Sequence, residues 1–151
     1  MLIRAVQPGD WRQWHELWTG YNAFYGREGE TALPEPVTQQ TWKRFLDAAE
    51  PMHALIAEVD GQLVGLAHIV VHPSTSRAAD VCYLQDLFTA PAVRGKGIAR
   101  ALVEAVYEKA LSLGCCRVYW QTKADNATAR RLYDRVAAHK GFIVYSHELG
   151  E

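Results

Sequence analysis

A short turn with two glycines is the part of the chain whose composition best suggests binding chemistry. Gly95 and Gly97 lie between an apolar stretch ending at Thr89 and a helical pattern that starts after Gly97. Glycine lets backbone N–H groups approach a ligand closely, and a helix N-terminus adds unpaired donors and the positive end of a dipole. The turn therefore predicts an anion site, although a tight strand-to-helix connection gives the same pattern. The basic residues around it are Arg94, Lys96 and Arg100.

The spacing of the glycines excludes two other phosphate-binding motifs. Gly97 is followed by Ile98, Ala99 and Arg100, so the chain has neither Gly-x-Gly-x-x-Gly nor a Gly-Lys-Ser/Thr ending here. The fingerprint of dinucleotide-binding domains and the P-loop of nucleotide-binding proteins are both unmatched. A different phosphorylated ligand is expected.

Arg94, Gly97 and Ala99 match Gln/Arg-x-x-Gly-x-Gly/Ala, which is motif A of the GNAT acetyltransferase superfamily. In that family the amides of this turn bind the pyrophosphate of acetyl-CoA. The segment Tyr83-Leu84-Gln85-Asp86-Leu87-Phe88 resembles the family's fourth strand, most closely in the Hpa2-like branch, and residues 120–133 resemble its second cofactor motif. The chain is therefore identified by resemblance, over about residues 82–145, as a GNAT N-acetyltransferase.

The resemblance implies which residues bind acetyl-CoA. Asn126 and Tyr133 are seven residues apart, so a helix places both side chains on one face. In the family this tyrosine protonates the leaving thiolate and the asparagine bonds to the CoA arm, although core packing alone would also explain Tyr133. Main-chain groups at Leu87 and Thr89 are expected to bind the pantetheine amides, and one N–H to polarise the thioester carbonyl. The implied cofactor-binding residues are Leu87, Phe88, Thr89, Arg94, Gly95, Lys96, Gly97, Ile98, Ala99, Arg100, Asn126, Ala129 and Tyr133.

Tyr25, Gln85 and Asp86 are the predicted substrate-binding residues, and Asp86 joins Tyr133 as a catalytic candidate. Gln85 and Asp86 point to opposite faces of a strand. If Asp86 faces the acceptor, it would orient an amine or deprotonate it through water. An aspartate whose hydrogen bonds lie within the fold explains the residue equally well. Relatives that handle polyamines carry glutamate where this chain has Gln85, which argues against a polyamine acceptor.

The predicted elements give a mixed sheet with helices on its faces. Asp60-Gly61 between two apolar runs is the signal of a hairpin, and Gly114 ends the helix after the glycine turn. With the resemblance, this order predicts one α/β (α+β) domain over residues 1–151, with a mostly antiparallel sheet of six to seven strands and about four helices. The strands are 2–6, 53–59, 62–71, 81–89, 117–121 and 142–148, and the helices 11–24, 38–49, 98–113 and 126 to about 139.

Two further patterns concern individual helices. Aromatic residues from Trp11 to Tyr25 recur at steps of three and four, which predicts a stripe that packs on the sheet or lines an acceptor pocket. Gly141-Phe142 follows Tyr133 by eight residues, whereas many family members have four. This spacing predicts one additional helical turn after Tyr133.

Composition limits the classes of partner. The formal charge of −1 and the pI near 6.6 leave no basic field for nucleic acid. Three cysteines, two of them adjacent, are typical of reduced thiols, and no leader or membrane span is predicted, so a cytoplasmic protein is expected. The histidines and cysteines lack metal-binding spacing, and Cys82 has no neighbour that would make it a nucleophile.

The sequence therefore predicts an enzyme that transfers an acetyl group from acetyl-CoA to a primary amine of a small molecule, by direct attack and without a metal. Two alternatives stay open: acetylation of protein lysine or N-terminal amines, and an acyl-CoA sensor without catalysis. Family analogy favours a homodimer formed through the C-terminal strand.

Overall fold

The computed structural model describes all residues 1–151, which divide into two compact units, 1–121 and 122–151. The first unit contains a five-stranded sheet in the order β1-β2-β3-β4-β5. Neighbouring strands are antiparallel except β4 and β5, which are parallel. The predicted mixed fold class is confirmed, with five strands where six to seven were expected. The strands are β1 (Leu2–Ala5), β2 (Met52–Val59), β3 (Gln62–His72), β4 (Val81–Thr89) and β5 (Val118–Tyr119).

The predicted hairpin forms because its turn has the right residues. Asp60 and Gly61 have φ angles of 50° and 77°. Two consecutive positive φ values define the turn that matches the twist of paired strands, and Asp-Gly is a favoured pair for it. The turn fixes the pairing of β2 with β3.

Helices α1 (Trp11–Phe24) and α2 (Glu35–Leu46) pack on one face of the sheet around an aromatic cluster. Trp14, Trp18 and Tyr21 are buried, which confirms the packing interpretation of the stripe at these positions. Tyr25, at the end of the stripe, is 41% exposed. The middle of the aromatic stripe thus fills the core, while Trp11 at its start is partly buried and Tyr25 at its end is exposed.

Helix α3 (Ile98–Ser112) covers the opposite face. A Cβ atom added to Gly65 on β3 would lie 3.0 Å from a side-chain atom of Leu102 and 3.2 Å from one of Ile98. Any larger residue at this position would push the helix away from the sheet. The close approach fixes α3, and with it the glycine turn, against the end of β4.

The second unit contains α4 (Ala127–Val136). The helix ends three residues before the predicted end because Ala137 has extended backbone angles, so the expected additional turn is absent. The predicted strand 142–148 is also wrong: these residues form no strand and are exposed. A strand is stabilised by pairing with a neighbour, which these residues lack in the single chain. None of the helices combines the length and apolar character needed to cross a bilayer.

Candidate active site

The glycine turn has the geometry of an anion site. Gly95 and Gly97 have φ angles of 80° and 79°, and Gly97 is the N-cap of α3. The first bond of the helix runs from the N–H of Ala101 to the carbonyl of Gly97, which leaves the N–H groups of the preceding residues without helical acceptors. A Cβ at either glycine would meet nothing within 4 Å. The turn thus presents backbone donors to open space.

The three basic residues of this turn differ in what they contact. The Arg94 Nε–H donates to the carbonyl of Thr89 at 3.1 Å, and its guanidinium lies 5.6 Å from the ring centre of Phe88. Arg100 pairs with Glu104 at 3.0 Å. Lys96 is exposed and has no carboxylate partner within 4.0 Å. Lys96 is the cation most available to a ligand at the turn.

The second half of β4 has an open edge. Strand β5 pairs only with Cys82 and Tyr83. Because the Cys82 N–H faces β5, the register of β4 with β3 directs the N–H groups of Leu87 and Thr89 away from β3, toward that edge. The Thr89 hydroxyl is buried without a hydrogen-bond partner. These unpaired N–H and hydroxyl groups lie along β4 toward the glycine turn. They suit a ligand whose phosphate binds at the turn and whose amides extend along the strand.

A bulge in β4 separates the two candidate substrate residues. His68 pairs with Asp86 and Ile69 with Leu84, so Gln85 is the additional residue. Gln85 is exposed, whereas the Asp86 side chain is only 12% exposed and lies on the face covered by α1. The bulge thus directs Asp86 toward α1 and leaves Gln85 in solvent.

His68 holds Asp86 from the neighbouring strand. Its Nδ1 lies 2.9 Å from the Asp86 Oδ2, and its Nε2 lies 2.9 Å from the Trp14 Nε1. An indole nitrogen only donates, so the His68 Nε2 accepts and the proton of the neutral ring is on Nδ1. Both nitrogens are then used, which leaves His68 no free lone pair to act as a base. The contact fixes the direction of the Asp86 side chain.

Tyr21 approaches Asp86 from α1. Burial, followed by the negative charge of Asp86 and a hydrogen bond to it, raises the pKa of Tyr21 well above its usual value. Tyr21 therefore stays protonated beside the carboxylate. The ring of Tyr25 lies 5.0 Å from that of Tyr21, so Tyr25 reaches the same neighbourhood.

Sequence reasoning missed His68 and Tyr21 as members of this site. The histidines showed only a lack of metal-binding spacing, and Tyr21 belonged to the aromatic stripe. One signal was present: His68 interrupts the apolar run from Leu63 to Val71. A buried polar side chain requires a partner, and here that partner is Asp86.

A groove of about 420 Å³ lies between α1 and the end of β4. Asp86 does not line it, so the groove and the His68–Asp86 pair are separate features. Its lining includes Gln13, Glu16, Gly20, Phe24, Phe88 and Arg94.

In the second unit, Asn126 caps α4. Its Oδ1 accepts from the N–H of Ala129 at 3.3 Å, and its Nδ2 lies 3.4 Å from the Thr122 Oγ1. Tyr133 is half-buried on the same helix. The cap orders the start of the helix that carries Tyr133.

Other reactive groups have ordinary structural roles. Cys82 is fully buried, and this burial raises the pKa of its thiol to about 12, so the thiol is protonated at neutral pH. No group of three or more histidine, cysteine, aspartate or glutamate residues is arranged to hold a metal ion.

Comparison with known proteins agrees with this geometry. Residues 11–138 match the model of the acetyltransferase (GNAT) family. The D-amino-acid N-acetyltransferase HPA3 of Saccharomyces cerevisiae is 32% identical over 147 residues, covering 96% of this chain and 89% of the relative. The crystal structure of a probable acetyltransferase superposes with a TM-score of 0.85 at 21% identity, covering 100% of this chain and 99% of the other.

A structure of the aminoglycoside N-acetyltransferase AAC(6')-Iy with a bisubstrate analogue, CoA-S-monomethyl-acetylneamine, has the same fold. Its TM-score is 0.81 at 18% identity, and 97% of each chain is covered. At this identity the likeness concerns the fold alone. The family match covers most of the chain, and the chain therefore belongs to the GNAT family of acetyltransferases.

Proposed function

We propose that this enzyme transfers the acetyl group of acetyl-CoA to the primary amine of a small molecule by direct attack. The observation that carries the proposal is the His68–Asp86 pair, which fixes a carboxylate at the bulge of β4, where the strand separates from β5. A carboxylate there is positioned to act on an incoming amine.

The cofactor-binding residues proposed for the first unit form a continuous path. The amides of the turn from Gly95 to Arg100, with Lys96, would hold the pyrophosphate. The N–H groups of Leu87 and Thr89, with the unpartnered Thr89 hydroxyl, would bind the amide-bearing arm. Acetyl-CoA supplies a thioester, whose carbonyl carbon accepts the amine. One of the strand N–H groups would stabilise the negative charge on the carbonyl oxygen.

Asp86 and Tyr133 would handle the two protons of the reaction. Asp86 orients the amine or, through water, takes the proton that the nitrogen loses as the C–N bond forms. Tyr133 gives its phenolic proton to the sulfur as the C–S bond breaks. Asn126 and Ala129 would position the CoA arm at the start of α4. The protonated, buried Cys82 favours this direct route over a route through an acyl-cysteine.

The names of relatives support a small-molecule acceptor, since they refer to D-amino acids and aminoglycosides. A thiol-release assay with acetyl-CoA against amino acids, simple amines, aminoglycosides and lysine peptides tests the proposal. Turnover with a small amine is expected. Turnover with peptides alone would favour a protein acetyltransferase, and CoA binding without turnover on any amine would favour a sensor.

The assembly and location are also proposals. A homodimer through residues 142–151 is supported by exposed apolar side chains, since Phe142 is 85%, Tyr145 88% and Leu149 95% exposed. Sedimentation of the chain with and without these residues tests the dimer. A cytoplasmic location is supported by three free cysteines, and a single functional domain by the family match over 11–138.

A further inference from the structure

Arg27 is fixed just beyond the end of α1. Gly26 has a φ of 77°, and the N–H groups of Gly26 and Arg27 donate to the carbonyls of Ala23 and Asn22 at 3.0 and 2.8 Å. This pair of bonds is the Schellman motif, which ends a helix and turns the chain back on it. The motif places Arg27 beside the last turn of α1.

The Arg27 side chain is held as firmly as its backbone. Asn22 is buried; its Nδ2 donates to the Trp18 carbonyl at 2.9 Å, and its Oδ1 accepts from the Arg27 Nε at 2.7 Å. The guanidinium lies 5.7 Å from the ring centre of Tyr21 and 5.6 Å from that of Tyr25. A buried asparagine and two aromatic rings therefore fix the plane of a half-buried guanidinium.

The end of this guanidinium is available to a ligand. No carboxylate of the chain lies within 4.0 Å of Arg27. Its Nε is occupied by Asn22, which leaves the two terminal amino groups as a planar fork of donors. Such a fork matches the two oxygens of a carboxylate, and its fixed plane lowers the entropy lost on binding.

Tyr21 connects this fork with the proposed catalytic carboxylate. Asp86 lies close enough to its hydroxyl to raise the pKa of Tyr21, while Arg27 lies over its ring and lowers that pKa. A carboxylate and a guanidinium thus lie around one tyrosine. An acceptor that carries an amine and a carboxylate complements both charges.

On the basis of the proposed function, we propose that Arg27 binds the carboxylate of an amino acid acceptor whose amino group lies at Asp86. Of the two acceptor classes in the names of relatives, this geometry favours amino acids. An aminoglycoside carries several ammonium groups and no carboxylate, so Arg27 would repel it. Arg27 would act on specificity, without a role in the chemical step.

The test compares acceptors that differ only in the carboxylate. Both enantiomers of the common amino acids, their α-amides and neamine are assayed with acetyl-CoA on the full chain. We expect at least one amino acid to exceed its amide in kcat/KM by about ten- to a hundredfold, as expected for a hydrogen-bonded charge pair, and neamine to be poor. Equal use of amides, or a preference for neamine, would overturn the inference while leaving the proposed function intact.

Variants of Arg27 separate recognition from folding. Arg27→Gln is expected to raise KM for the amino acid about ten- to a hundredfold, with kcat nearly unchanged and the amide unaffected. Arg27→Lys keeps the charge without the fork, so its KM should lie between those of the wild type and Arg27→Gln. The control is Arg12→Gln, at a side chain on α1 that is 90% exposed, which should change nothing. An equal loss for acid and amide would contradict a carboxylate site.

A failure of the proposed function can be distinguished from a failure of the carboxylate site at Arg27. If no amine in the panel is acetylated, that proposal fails, and calorimetric titration of the same amino acids into the CoA complex still tests the site. Binding that is lost in Arg27→Gln and kept in Arg12→Gln supports it. Binding that is absent or equal in both variants overturns it.

Discussion

The Nδ1 of His68 donates to the Asp86 carboxylate across 2.9 Å, while the Nε2 of the same ring accepts from Trp14. The residues lie on adjacent strands and face each other directly. His68 is 2% exposed, so the bond lies mostly out of water on the histidine side and is strong, while the Asp86 side chain keeps 12% exposure. The arrangement explains why a histidine interrupts an apolar strand, and it fixes the direction of the Asp86 carboxylate.

The tautomer of His68 can be measured directly. Nitrogen-15 NMR of the imidazole is expected to show a neutral ring protonated at Nδ1 and unprotonated at Nε2. The exposed His139 and His147 serve as internal references with mixed tautomers. A charged ring, or a proton on Nε2 near pH 7, would contradict the proposed hydrogen-bond directions.

Asp86→Asn tests the catalytic role of the carboxylate. Asparagine has nearly the same volume and still accepts from His68, so folding should be kept. We expect kcat to fall about a hundredfold because the charge that acts on the amine is lost, with acetyl-CoA affinity unchanged. Asp60→Asn, in a turn whose φ of 50° asparagine tolerates, is the matched control. Unchanged turnover in Asp86→Asn would remove Asp86 from the mechanism.

Tyr133→Phe tests the proposed acid. Loss of the hydroxyl should lower turnover about ten- to a thousandfold and leave CoA affinity within about twofold, because the half-buried ring is kept. Tyr145→Phe is the control, since Tyr145 is 88% exposed and phenylalanine keeps the apolar ring of the proposed dimer contact. Steady-state rates and calorimetric CoA titrations give the two quantities. Full activity in Tyr133→Phe would rule out the assigned role.

Gly97→Ala tests the anion site. The φ of 79° is unfavourable for alanine by about 1–2 kcal/mol, and its Cβ would occupy the space open to a phosphate. Gly61→Ala is the matched control, because Gly61 has a φ of 77° in the hairpin turn and the variant should lose similar stability. We expect CoA affinity to fall more than about tenfold in Gly97→Ala only. Equal affinities in the two variants would place the pyrophosphate elsewhere.

The pair formed by Arg4 and Asp10 should make stability depend on pH. A hydrogen bond from Arg4, at 2.8 Å, holds the pKa of Asp10 below its usual value although burial opposes the shift. The folded state therefore binds fewer protons than the unfolded state. The pair stabilises the fold above the unfolded pKa of 3.8, and this stabilisation is lost as pH falls through the folded pKa. Asp10→Asn should cost about 1.5 kcal/mol at pH 7 and progressively less below pH 4.

Urea denaturation at a series of pH values, followed by tryptophan fluorescence, gives the free energy of unfolding for both proteins. Asp60→Asn again serves as the control, because Asp60 has no basic partner within 4.0 Å. A difference between wild type and Asp10→Asn that stays constant from pH 7 to pH 3 would refute the linkage.

Elements whose signals are local were predictable. Helix α1 begins and ends where its aromatic periodicity indicated, and the hairpin forms around Asp60-Gly61. The glycine turn was also visible, because glycines at positive φ followed by a helix need no distant partner. Periodicity and turn chemistry act within a few residues, so the sequence displays them directly.

By itself, then, the sequence determined the family, the glycine turn that is proposed to bind the donor, and most elements. Tertiary structure decided that His68 meets Asp86, through strand register and the bulge at Gln85, and that Arg27 returns to α1 beside Tyr21. It also left residues 142–148 unpaired where a strand was expected. These features depend on which strands and side chains become neighbours, and a pairing between residues 18 positions apart has no signature in either segment alone.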